Sequence, residues 1–377
     1  MENRNQLRDV SIMDVMRDIE STEKTDYITD LNKVRLSPGT GRRGINAEFG
    51  EFNVPVNDIA IGQIESTLMP GFSTFGRNLQ AAGMRDLYLR NANELISRQS
   101  KSRFLRMHRR PEHDLQLRAC LSPSYKRYDD DMVFGSVMDA VSDTTLADQF
   151  RSIGGYRTDN QSYLKMVTRE PLFGIQVDGF ERNFSLGFIV SNSEVGQGFC
   201  KIDVLMIDHY CTNGCIFSSQ AVGKFKVMHR GRNFSDLVSG VLNQAIDSRD
   251  SLELERVSAA IRKSVTAALN KDLYLGYESA VRSAASLRID DPEIYARVIG
   301  RHLNLREAET KAIAQRLLET GDRTLFGVQA ALTDAAKYAE TYDRKLELER
   351  CGGKIFTEIP SRWSAIQRLA ESEKLDN

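Results

Sequence analysis

Seven residues, HYCTNGC at 209–215, bring one histidine and two cysteines close enough to begin a metal site or a redox pair. A structural zinc needs four Cys or His ligands, usually as two close pairs. Beyond His209, Cys211 and Cys215 the chain offers no second Cys pair, its other cysteines being the scattered Cys120, Cys200 and Cys351. Three residues separate the two cysteines, where a redox motif has two, and no helix start follows to acidify a thiol. Asn213-Gly214 is instead a hairpin signal, because both residues tolerate positive φ. Cys211 and Cys215 are then small, half-buried hydrophobes flanking a turn.

Other chemistry-bearing stretches also have structural readings. SPGTGRRG at 37–44 is glycine-rich and basic but lacks the Gly-Lys-Ser/Thr ending of a phosphate loop, and it reads as a loop. Asp129, Asp130 and Asp131 could hold a cation, yet one of them suffices to cap a helix. A two-metal nuclease needs carboxylates converging from separate strands. Asp178, Glu181, Glu194, Asp203 and Asp208 are available, and no spacing singles any of them out. The five histidines stand apart from any nucleophile motif. A helix-turn-helix near 295–319 would present Glu307 and Glu309 toward bases. The sequence therefore assigns no catalytic residue, no metal and no cofactor.

Two basic stretches point to binding. In GKFKVMHRGR, Lys224, Lys226, Arg230 and Arg232 alternate with Phe225, Val227 and His229, so a strand here has one basic face. A solvated edge strand that carries lysines against aggregation has the same pattern. The second stretch holds Arg103, Arg106, Arg109 and Arg110, followed by Tyr125, Lys126, Arg127 and Tyr128. Cations can follow a phosphate backbone while tyrosine rings stack on unpaired bases. A charged hairpin with its tyrosines partly in the core has the same residues.

These residues need a scaffold. The chain has 377 residues, 41% hydrophobic and 27% charged, with a net charge of −1, which excludes bulk-charge coating of nucleic acid but not a local basic face. No apolar run is long enough to span a bilayer, MENRNQLRDV opens without a secretory pattern, and the cysteines are odd in number and dispersed. A cytoplasmic, reducing compartment is expected. Residues 1–75 read as an N-terminal extension of helix plus loops. Residues 76–232 read as an α+β core with an antiparallel β-meander and packed helices, and 233–377 as a helical region. Short strand-like runs with turn-rich connections favour antiparallel pairing. Asp291-Pro292 marks one helix start, Asn304 with Glu307 another, and Gly321 a helix end.

The runs LRACLSPSYKRYDDDMVF, FIVSNSEVGQG and CTNGC resemble, in that order, the phage/plasmid-like protein family, a domain of unknown function found on phages, prophages and conjugative plasmids. The resemblance rests on Arg118, Ala119, Leu121, Ser122, Tyr125 and Lys126, then Ser191 to Gly196, then Cys211 to Gly214. It covers roughly residues 76–353, and departs at Pro123 and throughout the first 75 residues. It implies a mobile-element origin in a bacterial host and no established reaction. Some members are distantly similar to single-strand annealing recombinases. The expectation is a non-enzymatic protein that binds nucleic acid, single-stranded rather than duplex, in recombination or DNA protection, with self-association through the C-terminal helices. The rival expectation is an anti-restriction protein that binds a host defence protein instead of DNA.

Overall fold

The computed structural model describes residues 9–111, 113–142, 147–177, 180–210, 213–217, 226–227, 251–268 and 271–375. The chain opens with α1 (Ile12–Glu20), which Ser11 caps by accepting from the Asp14 amide and which buries Val15 and Ile19 one turn apart. Strand β1 (Glu23–Asp30) follows, then β2 (Arg35–Pro38), β3 (Ile45–Phe49) and β4 (Phe52–Pro55). Helices α2 (Asp58–Leu68), α3 (Phe72–Ala81) and α4 (Arg85–Ser97) lead into the hairpin of β5 (Ser102–Arg109) and β6 (Gln116–Leu121). After α5 (Asp130–Ser142) come β7 (Phe150–Arg157), β8 (Ser162–Thr168), β9 (Phe173–Val177), β10 (Phe180–Asn192), β11 (Cys200–Asp208), β12 (Asn213–Phe217) and β13 (Lys226–Val227). The rest is helical: α6 (Ser251–Ala268), α7 (Lys271–Ser286), α8 (Pro292–His302), α9 (Glu307–Thr320), α10 (Leu325–Ala336), α11 (Tyr342–Thr357) and α12 (Trp363–Leu375). This is an α+β fold with antiparallel sheets, its helices concentrated toward the C-terminus.

Among the described residues the largest sheet runs β12-β11-β10-β8-β7, with β9 beside β10 and β13 beside β11, all antiparallel. Side-chain alternation sends Leu164, Met166, Leu186, Phe188, Ile202 and Val204 to one face, in a core shared with Val133 and Val137 of α5 and Ile261 of α6. On the other face Tyr163, Val167, Ile189, Leu205 and Ile216 meet Tyr342 and Leu346 of α11. Covering both faces explains why β10 and β11 read as continuous apolar runs. A second core joins β2–β4, α2 and α4 to Leu105, Met107 and Leu117 of the hairpin.

The first 75 residues are more than helix and loops. They contribute β1 to a sheet ordered β1-β5-β6, with Lys24 opposite His108 and Asp26 opposite Arg106. Strand pairing therefore crosses position 75, the expected limit of the extension. The expected hairpin at HYCTNGC is present with its apex displaced. Asn213 and Gly214 lie within β12, paired with Asp208 and Ile207, and so belong to the strand. The helix expected to start at Asn304 starts at Glu307. Asn304 takes φ 54 after α8, and Glu309 accepts from the Arg306 amide as the N-terminal cap partner. Asp291 caps α8 and Gly321, at φ 71, closes α9, both as the spacing predicts.

Candidate nucleic-acid interface and its buried support

Strand β5 lies between the two cores, and its alternation decides the site. Leu105 and Met107 face the N-terminal core, which leaves Phe104, Arg106 and His108 on the opposite side. There they meet β1, the start of α5 and the loop after β10. At the centre is Glu194, whose side chain is fully buried. Its carboxylate takes Lys24 at 2.8 Å, Arg118 at 3.1 Å, Arg157 at 3.3 Å and the Asp130 amide at 3.0 Å. Arg106, 1% exposed, bridges Asp26 at 3.1 Å and Asp129 at 2.7 Å, and donates to the Glu194 carbonyl. Buried charges persist only when paired and hydrogen-bonded in this way.

The ionisation states follow from these contacts. Burial raises the Glu194 carboxyl, but Lys24, Arg118 and Arg106 outweigh it and hold the group well below the ordinary carboxylate range. Burial, then the neighbouring Glu194, pushes Asp130 up to about 6. Burial and then Arg118 push His108 down to about 2. Arg118 donates to His108 Nδ1 at 2.8 Å, so the neutral ring carries its proton on Nε2. Asp129, Asp131 and Glu194 form a group with metal-ligand spacing. The Lys24 ammonium, 3.5 Å, 2.9 Å and 2.8 Å from them, is the cation at that position.

Asp130 yields a pH prediction. Its folded-state pKa lies above the ordinary 3.8, so the folded chain keeps a proton that the unfolded chain releases, and this contribution to stability fades as pH rises from about 4 to about 6. His108 acts in the opposite sense, since its folded-state pKa is depressed. Asp130→Asn removes the first effect. Relative to wild type it should gain about 2–3 kcal/mol between pH 4 and pH 7.5, measured by urea unfolding at both pH values. A difference between the two proteins that does not change with pH would contradict the assignment.

The network fixes the loop from Ser193 to Phe199, which rims a cleft of about 1060 Å³. Tyr125 donates to the Ser193 carbonyl at 2.9 Å, Ser193 Oγ to the Asn160 carbonyl at 2.8 Å, and Gln63 Nε2 to the Val195 carbonyl at 2.7 Å. The opposite wall is the α2 face that carries Gly62, Gln63, Ser66 and Thr67, together with Arg103, Ser122 and Ser124. Asp58 also lines the cleft, and Arg43 pairs with it at 3.1 Å. Arg103 differs from the other arginines of its strand. Among the described residues no carboxylate lies within ion-pair reach of it, and its Nε has no hydrogen-bond partner. An unpaired guanidinium in a cleft that also offers hydroxyl groups is suited to an anionic ligand.

The remaining expected residues divide sharply. Arg106 is consumed by its two part-buried ion pairs, and Arg127 pairs with Asp26 at 2.9 Å. Arg109 and Arg110 lie near Glu23 and Asp18 at 3.5 Å and 3.9 Å. Lys126 is buried, and so are Tyr125 and Tyr128, although part of Tyr125 lines the cleft. Lys226 lies on β13, opposite Lys201, and Val227 lies opposite Cys200, one residue beyond the cleft-lining Phe199. Lys224, Arg230 and Arg232 lie outside the described residues, as does Cys211. His209 hydrogen-bonds Ser185 at 2.7 Å, and Cys215 is buried in the sheet.

Sequence reasoning passed over Lys24, Asp26, Arg157 and Gln63. A signal existed in EKTDYITD, where Lys24 and Asp26 alternate on one face of a short strand with little apolar character. Two of the stretches that carried the family resemblance meet here, through Arg118 with Glu194 and Tyr125 with Ser193.

Fold and site together define an α+β protein with one arginine, unpaired among the described residues, in a cleft of mixed lining braced by buried ion pairs. No family model, curated protein or solved structure matches the chain. Among the described residues no helix is long and apolar enough to cross a membrane.

Proposed function

We propose that the chain binds nucleic acid, single-stranded in preference to duplex, without chemical conversion of it. The observation that carries this reading is an arginine in the wall of a cleft that no carboxylate pairs among the described residues. Arg103 is that residue, and β13, Lys226–Val227, pairs with Lys201 and Cys200 at the start of the strand that leaves the cleft rim. A phosphate would meet Arg103. The hydroxyls of Ser66, Thr67, Ser122 and Ser124 offer further donors, and Phe199 is an aromatic ring within reach of an unpaired base. The similarity to the phage/plasmid-like family belongs to the same reading. It supplies a bacterial cytoplasm as the setting, and recombination, strand annealing or protection of incoming DNA as the context, with self-association through the C-terminal helices.

Arg103→Ala should weaken binding of a labelled single-stranded oligonucleotide by about tenfold, the value of one charge-assisted contact. Arg109→Ala, on the same strand but outside the cleft, should change it by less than about twofold. Fluorescence anisotropy at one low salt concentration makes the comparison. Equal losses would remove the cleft from the account. No binding by wild type would favour the protein-partner reading, in which the chain blocks a host defence enzyme.

A further inference from the structure

The α11 side of the large sheet buries two ammonium groups. Lys165 of β8 and Lys345 of α11 place their Nζ atoms 5.5 Å and 4.8 Å from the centroid of the Tyr342 ring. Glu349 takes Lys165 at 3.1 Å. A second carboxylate, Asp9, comes from the N-terminal arm, with Oδ2 3.5 Å from Lys165 and 3.7 Å from Lys345. The arm is held at Val10, which exchanges two backbone hydrogen bonds of 2.9 Å with Gly155. Beside it Gly154 takes φ +115, and a Cβ there would strike the Val10 carbonyl and the Asp9 side chain. The β7 bulge between Ser152 and Gly154 accommodates the arm.

Asp9 fits this place incompletely. Its Oδ1 is buried with no donor among the described residues. The Tyr342 hydroxyl, on a side chain from a residue 3% exposed, has no partner among the described residues. One acceptor and one donor thus lie idle beside a pair of ammonium groups, a geometry that a free anion, able to turn, would complete. Tyr342 is also the first residue of α11, so the place lies at a helix N-terminus, where the backbone favours negative charge.

We propose that Lys165, Lys345 and Tyr342 form an oxyanion-binding site, suited to a phosphate or carboxylate group, and that Asp9 on the N-terminal arm is its built-in occupant. A ligand enters by displacing the arm from the Gly154–Gly155 bulge.

Asp9→Asn keeps the side-chain shape and removes the competing charge. Inorganic phosphate and acetate are the probes, added to full-length protein in a buffer free of other small oxyanions and followed by thermal unfolding and titration calorimetry. Phosphate should bind Asp9→Asn about tenfold more tightly than wild type, with a matching rise in its unfolding midpoint. The gain should vanish in Asp9→Asn/Lys345→Met. A response to acetate alone would keep the site and assign it to carboxylates. Equal anion responses in wild type and Asp9→Asn, or binding that survives Lys345→Met, would overturn the proposal. Should Asp9→Asn not fold, removal of residues 1–9 provides the second variant. If neither folds in any anion, Asp9 is a structural counter-ion and the proposal fails.

Discussion

Glu194→Ala should destabilise the protein by about 3–5 kcal/mol, the penalty for stripping the carboxylate from a buried ion-pair cluster. Lys24, Arg118 and Arg157 would lose their shared acceptor at once, and the Asp130 amide would lose its own. Water cannot replace it cheaply, because these cations are held within protein and were desolvated on the strength of that carboxylate. Glu194→Gln should lose nearly as much, since it keeps the shape and one acceptor but not the charge. Glu23→Ala, which removes the partner of Arg109 where both side chains are more than half exposed, should stay within about 1 kcal/mol of wild type. Folded domains hold only about 5–15 kcal/mol in reserve, so the first loss should show as a large shift of the urea midpoint. Equal midpoints for the Glu194 and Glu23 variants would mean that the cluster is not the support described here.

The sequence reveals the large sheet better than the site. Strands such as NFSLGFIVS and CKIDVLMID are long apolar runs, and burial on both faces is the physical cause of that texture. β1 and β7 are harder to read. EKTDYITD spends its alternate positions on Lys24 and Asp26, whose partners lie some 80 to 170 residues away, and FRSIGGYR carries two glycines that resemble a turn but form a bulge for the N-terminal arm. Local pattern cannot encode a partner at such separation. The same limit governs the basic residues. Arg103 and Arg106 are three positions apart in similar surroundings, yet one faces a cleft unpaired and the other is locked between Asp26 and Asp129. The tyrosines of SYKRY had two readings, and burial of Tyr125 and Tyr128 favours the core over stacking. DDD at 129–131 divides its roles as well: Asp130 opens α5 and accepts from Ser162 at 2.6 Å, while Asp129 pairs with Arg106.

Nucleic-acid binding by this chain should depend steeply on salt, because each phosphate met by a Lys or Arg releases counterions. For single strands the slope of log affinity against log salt is about −0.7 for each such contact. Arg103 together with Lys224, Lys226 and Arg230 gives four candidate contacts, hence a wild-type slope near −3. The variant Lys224/Lys226/Arg230→Ala should flatten it by about 2 and weaken binding to single strands of any sequence to a similar degree, as expected of contacts to the backbone and not to base edges. The direct measurement is the affinity of wild type and this variant for a labelled single-stranded oligonucleotide and its duplex, across a salt series. A steep wild-type slope, tighter binding to the single strand and a flattened slope in the variant are the predicted result. A wild-type protein that ignores both nucleic acids at the lowest salt would contradict the account and leave β13 as a solvated sheet edge.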